Sequence, residues 1–397
     1  MILVTMKAII LAGGYGSRFW PKSRKNRPKQ CLPIASDKPM IVDTVDRLKP
    51  IVDEFYISTG KELEKPLRDL LRDVKYVIEP LAKNTAAAIG LSCITVSEDE
   101  VIVVETADHT YSDPKSYLDN LKEAAKMAKK GKIVLIGIKP SFAHTGFGYI
   151  KQGKLIKKGK IEIYEIEEFK EKPSLEIAKE YLKDGNYLWN AGIFICKAGV
   201  MLKAIEKYMP QLYSALIKIK QSNFDQSILK KEFEKLKSIS IDYGIMEKAN
   251  NTAMIRGEFP WDDVGDWKAA ERIHKKDDNG NIVLGKHKGS AINSIIIGEN
   301  VKTEGVKELI IVDTNDCLLV CNKNRSQDVK KIVEELEKDP KLKKFVEREE
   351  RPEQHNVFID SDNIETKSDA LIATIGVSNL YIEKDQKVKV IKKSDKK

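Results

Sequence analysis

The chain of 397 residues has no window approaching the ~18 consecutive apolar residues of a spanning helix. The longest early apolar run, Ala8 to Ala12, is too short for a signal-peptide core and leads straight into glycines. Both absences lead us to expect a cytoplasmic protein that does not engage a membrane, with Met6 as a candidate true start. Cysteine is sparse. Cys31, Cys93, Cys196, Cys317 and Cys321 are scattered without any C-x-x-C, which argues against a structural zinc site and suits a reducing compartment. Histidine is equally sparse: His109, His144, His274, His287 and His355 have no metal-ligand spacing. There is no Ser-His-Asp or Cys-His grouping, no G-x-x-x-x-G-K-[ST] phosphate loop and no G-x-G-x-x-G.

What is present is a length beyond one ordinary core, with 42% apolar and 32% charged residues, which reads as a large globular domain plus a smaller one. The formal net charge is +9, but Lys and Glu alternate almost everywhere, as in Lys61-Glu62-Leu63-Glu64-Lys65. That is a solvated surface. The basic stretch Lys387 to Lys397 has no aromatic platform beside it, so no nucleic-acid partner is expected.

Short apolar runs alternate with helical spacing through the first part of the chain. Strands are expected at Lys7–Ala12, Glu54–Ser58, Val74–Ile78, Val101–Val104 and Ile133–Ile136. Helices are expected at Met40–Leu48, Ala86–Val96 and Tyr117–Lys129. This is an α/β pattern with parallel strands and right-handed crossovers, and in such sheets ligands lie beyond the carboxyl ends of the strands. Gly13-Gly14 and Asp108 both follow expected strands directly. Near Asp277 the texture changes to short β segments, Ser294–Ile297, Leu309–Val312 and Leu318–Val320, with one helix at Gln327–Lys338, which suggests a stacked or coiled β unit. Gly305–Ile311 resembles Gly376–Ile382, and Asn293–Gly298 loosely matches Asn356–Ser361; this is either a degenerate repeat or a chance likeness of β segments. The expected division is 6–276, 277–340 and a further β-rich tail, 341–397.

The loop Gly13-Gly14-Tyr15-Gly16-Ser17-Arg18 begins at a strand end. Glycines let backbone N–H groups converge on an anion, and Arg18 adds a rigid fork of donors for phosphate. Lys29, in Pro28-Lys29-Gln30, adds a point charge. Taken whole, LAGGYGSRFWPKSRKNRPKQ closely resembles the signature of the sugar-1-phosphate nucleotidyltransferases, and its FWP and PKQ elements resemble the mannose-1-phosphate guanylyltransferase branch. The likeness continues through Glu79-Pro80-Leu81-Ala82-Lys83-Asn84-Thr85-Ala86, Ala107-Asp108-His109, Glu171-Lys172-Pro173, Trp189-Asn190-Ala191-Gly192, Ser240-Ile241-Asp242-Tyr243, Asp263-Val264-Gly265-Asp266-Trp267 and Arg325-Ser326-Gln327. Order and spacing agree from about Met6 to Leu336.

The resemblance implies a Rossmann-like nucleotidyltransferase domain with a mixed, mainly parallel sheet, followed by a smaller β-helix-like domain. It implies Mg2+-dependent transfer of GMP from GTP to mannose 1-phosphate. In-line displacement at the α-phosphorus needs positioning and charge neutralisation more than a covalent nucleophile. By the same resemblance Asp108 and Asp263 are the metal carboxylates, and they are catalytic together with Arg18 and Lys29. Gly13, Gly14, Gly16, Ser17, Arg18, Glu79, Asn84 and Thr85 hold the nucleotide, and Gly148, Glu171, Lys172 and Asn190 hold the sugar phosphate. His109 is read as structural, and Trp189 and Phe194 as core. Glu79 is the expected guanine reader, because guanine offers two adjacent donors, N1–H and the 2-amino group, that a carboxylate can accept together. Alternatives are a uridylyl-, thymidylyl- or adenylyltransferase acting on glucose 1-phosphate, and a non-catalytic sugar-nucleotide-binding regulatory subunit. Some relatives carry a His-rich isomerase barrel, but after His287 only His355 remains, so a second activity of that kind is not expected. A homo-oligomer, with a dimer as the guess, completes the expectation.

Overall fold

The computed structural model describes residues 5–385 and 387–393. The segment before the expected start at Met6 and the basic stretch to Lys397 therefore fall partly outside the described residues. The chain forms two compact units, one holding the chain up to Gly13 with Ile41–Asp263, the other Gly14–Met40 with everything from Val264 onward.

The first unit is built on nine strands, β1 (Met6–Leu11), β2 (Val52–Gly60), β3 (Lys75–Glu79), β4 (Val101–Thr106), β6 (Ile133–Ile138), β7 (Gly148–Lys157), β8 (Ile163–Glu171), β9 (Tyr187–Lys197) and β10 (Thr252–Gly257). They form one mixed sheet of order β3-β2-β1-β4-β9-β6-β10-β8-β7. A separate ribbon pairs β5 (Thr110–Tyr111) with β11 (Trp261–Asp262). The runs AIIL, VIVV and IVLI are continuous because their strands are covered on both faces, with Ile9, Val103 and Leu135 at 0% exposure. β1 is parallel to both β2 and β4, with Leu11 opposite Ser58 and Thr106. β3 is parallel to β2, with Glu79 opposite Gly60. The carboxyl ends of these four strands thus share one edge. β9 runs antiparallel to β4 and β6 and makes the sheet mixed.

The expected helices are present, with ends set by local chemistry. The one expected from Tyr117 begins at Pro114, because Asp113 caps it by accepting from the Ser116 N–H at 3.0 Å and proline suits the first turn. Helix Asn84–Cys93 is buried from Ala86 to Cys93, which explains its small residues. A Cβ on Gly90 would stand 2.7 Å from Leu216 Cδ1.

The second unit carries the β-rich sheet. It comprises β12 (Ile282–Ile292), β13 (Ile295–Lys307), β14 (Leu309–Asp313), β15 (Cys317–Asn322), β16 (His355–Ile359), β17 (Asp362–Ser368), β18 (Leu371–Ile375), β19 (Ser378–Lys384) and β20 (Val388–Lys392). Successive parallel pairs, β12 on β13 and β13 on β14, give a coil-like stack. Close stacking demands glycine at Gly285, where φ is 121° and a Cβ would lie 2.1 Å from the Gly298 carbonyl oxygen. The two similar segments share backbone features: φ is positive at Gly305 and Gly376, and again three residues later at Glu308 and Asn379. The helix expected from Gln327 starts instead at Val329, since Lys323–Asp328 is a 3-10 segment broken at Arg325.

Phe19, Trp20, Leu32 and Ile34 belong to the core of this second unit, with Trp267, Ile310, Val312 and Phe345. Beside them Arg24 forms a bidentate pair with Asp316, at 2.7 and 2.8 Å, with side chains 3% and 0% exposed. Arg24→Ala would strand a buried carboxylate. We expect it to cost about 3–5 kcal/mol, measured as a lowered midpoint of chemical unfolding, whereas joint replacement of Arg24 and Asp316 by apolar residues should cost much less.

Candidate active site

The shared carboxyl edge of the first sheet delivers several of the expected residues. Gly13 follows β1, where the Ala12 N–H bonds the Ser58 carbonyl and the Thr59 hydroxyl donates to the Ala12 carbonyl, both at 2.8 Å. Glu79 ends β3. It is buried, with the Ser58 hydroxyl donating to Oε1 at 3.5 Å. Burial pushes its carboxyl up to about 7, with the Ser58 bond pulling the other way. Asn84 stands at φ 69°, and its Oδ1 accepts from the Thr85 N–H at 2.8 Å. The Thr85 hydroxyl accepts from the Ile241 N–H at 2.9 Å, which fastens this helix start to the segment carrying Asp242.

Asp108 and Asp263 come from distant parts of the chain. The antiparallel ribbon pairs Asp262 with Thr110 and Trp261 with Tyr111. Asp108 lies just before Thr110 and Asp263 just after Asp262, so both come to the same end of that ribbon. Val264, the residue after Asp263, is held at φ 46°, costly for a β-branched side chain. Two carboxylates supply hard oxygen donors, and magnesium keeps several positions for water and phosphate. The donor set fits that ion. Among the described residues no group of three or more His, Cys, Asp and Glu converges as a fuller ligand set.

Under the Asp108 turn lies a buried frame. Glu105, fully buried on β4, accepts from Arg47 at 2.8 Å and is bonded by the Tyr117 hydroxyl. Arg47 also lies over the Tyr111 ring, 4.4 Å from its centroid, and the Thr44 hydroxyl donates to the Ala107 carbonyl at 3.4 Å. His109 packs edge-on against Trp261, whose Nε1–H donates to His109 Nδ1 at 3.3 Å.

The expected sugar-phosphate residues cluster. Gly148 opens β7 and pairs with Glu171 at the end of β8. A Cβ on Gly148 would stand 2.5 Å from Glu171 Oε2 and 3.3 Å from Asn190 Cβ, so only glycine leaves that space open. The Lys172 ammonium bonds Glu171 Oε1 at 2.7 Å, from a backbone held at φ 45°. Asn190 Oδ1 accepts from the Gly192 N–H at 3.1 Å, and its Nδ2 donates to Asp242 Oδ1 at 3.0 Å. An aromatic cluster joins this group to the ribbon. The Phe147 ring is 5.1 Å from Trp189 and 5.3 Å from Trp261, and Trp189 is 6.5 Å from Trp261. Trp189 and Phe194 are buried, at 5% and 3% exposure.

The remaining loop residues belong to the second unit. Gly16 is at φ 73°, and a Cβ there would meet Lys29 Cβ at 2.4 Å. The Ser23 hydroxyl donates to the Gly16 carbonyl at 2.6 Å, and the Lys29 N–H bonds the Tyr15 carbonyl at 3.0 Å. Gly14, Ser17 and Arg18 lie on this stretch, with Arg18 exposed and Lys29 buried. The Lys29 ammonium sits 5.2 Å from the Phe19 ring centroid.

Three features lie beyond what the sequence motifs assign. Asp242 falls within a recognised motif that gives it no role. Glu105 is an acid near the end of an otherwise apolar strand, a signal by which it could have been found. Phe147, Trp189 and Trp261 have no periodicity that marks them as a cluster.

Comparison with known proteins bears on this geometry. The family described as Nucleotidyl transferase matches residues 7–280, and the MannoseP isomerase/GMP-like beta-helix domain matches residues 291–336. A putative mannose-1-phosphate guanylyltransferase of Vibrio cholerae is 34% identical over 90% of this chain and 79% of that protein. Mannose-1-phosphate guanylyltransferases of Salmonella typhimurium and Escherichia coli are 35% and 33% identical, over 83% and 86% of this chain and 72% and 75% of theirs. A crystal structure from Thermus thermophilus, named as a mannose-1-phosphate geranyltransferase, is 32% identical with a TM-score of 0.76, covering 84% of this chain and 99% of that one. No helix among the described residues is long and apolar enough to cross a membrane.

The raised Glu79 carboxyl has a measurable consequence. Between the ordinary value of 4.5 and about 7 the folded protein keeps a proton that the unfolded chain has lost. Stability conferred at low pH is therefore lost as pH rises through that window, and is flat above it. Glu79→Gln removes this contribution. In thermal melts without nucleotide the variant should gain on the wild type by roughly 2–3 kcal/mol between pH 4 and pH 8.

Proposed function

The chain belongs to the nucleotidyl transferase family, and from that premise we propose that it transfers GMP from GTP to α-D-mannose 1-phosphate, giving GDP-mannose and pyrophosphate. The observation that carries the reading is the ribbon pairing of Asp262 with Thr110, which sets two carboxylates at one end of β5 and β11. The aromatic cluster beginning at Trp261 runs from there to Trp189, next to Asn190. The names of the relatives supply the choice of mannose and guanine.

In this mechanism Asp108 and Asp263 hold Mg2+, which when bound neutralises charge on the reacting phosphates. Arg18 and Lys29, with the N–H groups of Gly13, Gly14, Gly16 and Ser17, hold the triphosphate. Lys172 takes the phosphate of the sugar, and Glu171, Asn190 and the open backbone at Gly148 receive its hydroxyls. Glu79, ionised, accepts from guanine N1–H and the 2-amino group, with Asn84 and Thr85 at the adjoining helix start. The sugar phosphate oxygen attacks the α-phosphorus in line and pyrophosphate leaves, so these residues contribute position and charge rather than a covalent nucleophile. We assign the activity to the cytoplasm and to a homo-oligomer.

Purified protein with Mg2+, each nucleoside triphosphate and several sugar 1-phosphates should release pyrophosphate fastest with GTP and mannose 1-phosphate. Faster release with UTP, dTTP or ATP and glucose 1-phosphate would overturn the assignment. Binding of GDP-mannose without any release would leave only a regulatory role. Asp263→Asn should abolish turnover while GDP-mannose still binds. Glu79→Gln should cut the preference for GTP over UTP by roughly 10- to 150-fold, the equivalent of about 1.5–3 kcal/mol for a bond to a charged group.

A further inference from the structure

Asp242 has no role in the mechanism above, yet it stands inside the group that receives the sugar phosphate. It begins a single π-helical turn, Asp242–Met246, a rare element often found at functional sites. The turn is fastened on several sides. The Ile241 N–H bonds the Thr85 hydroxyl, the Glu171 N–H bonds Glu247 Oε1 at 3.0 Å, and the Tyr243 hydroxyl reaches the Glu171 carbonyl at 3.5 Å. The π-turn is thus pinned both to the start of helix Asn84–Cys93 and to the end of β8.

The charges around Asp242 do not balance. Glu171 and Lys172 face it from the end of β8. Asn190 faces it from β9 with a neutral amide. Ser240, Tyr243 and Glu247 surround it on its own segment. Two carboxylates, Glu171 and Asp242, therefore act on one ammonium. Burial and the neighbouring Glu171 together push the Asp242 carboxyl up to about 7, with Lys172 pulling it down. Burial works against the Lys172 charge, but Glu171 and Asp242 outweigh it and hold the ammonium above the usual lysine value. A phosphate dianion that takes this ammonium leaves both carboxylates without their cation and adds negative charge beside them. Like charges brought together in a half-buried site cannot all stay ionised.

We propose that Asp242 is a positioning residue of the sugar-phosphate subsite, and that it takes up a proton on Oδ2 when the phosphate of the incoming sugar draws Lys172 away from Glu171. The proton comes from solvent and returns there when the ligand leaves. Asp242 Oδ1 continues to accept from Asn190 Nδ2, so the amide stays oriented, with its second N–H free for a sugar hydroxyl. Asp242 thereby links the affinity for a sugar 1-phosphate to pH. This rests on the sugar-phosphate reading given above.

Linkage fixes the sign. A group that gains a proton on binding makes affinity fall as pH rises above its value in the free protein. The second ionisation of the ligand phosphate, near pH 6, works in the opposite direction and is complete above pH 7. Titration calorimetry with mannose 1-phosphate at about pH 7.8, in buffers of different ionisation heat, should show proton uptake by the wild type. The KM for mannose 1-phosphate should rise roughly tenfold from pH 7 to pH 8.5, with kcat little changed. Asp242→Asn keeps an acceptor for Asn190 but cannot titrate. It should take up no proton, and its KM should be flat across that range. Asp242→Ala should raise KM at every pH, also without proton uptake. Binding by the wild type without proton uptake, or equal uptake by Asp242→Asn, would overturn the proposal while leaving the transferase reading standing. A wild type that binds no mannose 1-phosphate at all would overturn both.

Discussion

Two short segments far apart in the chain, Thr110–Tyr111 and Trp261–Asp262, meet in an antiparallel ribbon, and the placing of Asp108 and Asp263 at one end of it depends on that meeting. Without it Asp108 is an acid at the end of a strand and Asp263 an acid in a loop. With it they share one end of a rigid ribbon. The surroundings allow them little freedom. Glu105 and Arg47 brace the Asp108 turn from below, His109 packs on Trp261, and Val264 holds a backbone angle that an unconstrained β-branched residue would abandon. Positioning of this kind suits a displacement whose barrier is lowered by geometry and charge neutralisation.

The same unit keeps several carboxylates in places where water cannot fully solvate them. Glu79, Glu105, Glu171 and Asp242 are buried or half-buried, each with a different arrangement of neighbours. Glu105 has a guanidinium and a phenol, and so serves as structure. Among the described residues Glu79 has only the Ser58 hydroxyl as a side-chain partner, and burial raises its carboxyl to about 7. Glu171 and Asp242 both act on the one ammonium of Lys172. Residue type is the same in all four cases. The neighbours decide whether the acid stays ionised or holds a proton.

Non-glycine residues with positive φ occur at the candidate site as well as elsewhere in both units. Asn84, Lys172 and Val264 all have positive φ without being glycine, and each lies in a motif recognised from sequence. Such angles cost on the order of 1–3 kcal/mol each, and they persist because the sheet edge, the π-turn and the ribbon over-determine the backbone there.

Much of the fold was legible because its signals are local. Continuous apolar runs such as VIVV announce strands covered on both faces, and helical spacing announces their crossovers. The antiparallel entry of β9 between β4 and β6 was not legible, nor were β7 and β8, because amphipathic strands rich in Lys and Glu read like exposed surface. The residues of the candidate site were legible as motifs in a row. Which of them come together was decided by tertiary structure alone: Asn190 with Asp242, Thr85 with Ile241, and Asp108 and Asp263 at one end of the ribbon. The physical reason is that residue types and spacings set what each group can donate, accept or ionise, while desolvation and charge pairing depend on neighbours brought in from other parts of the chain.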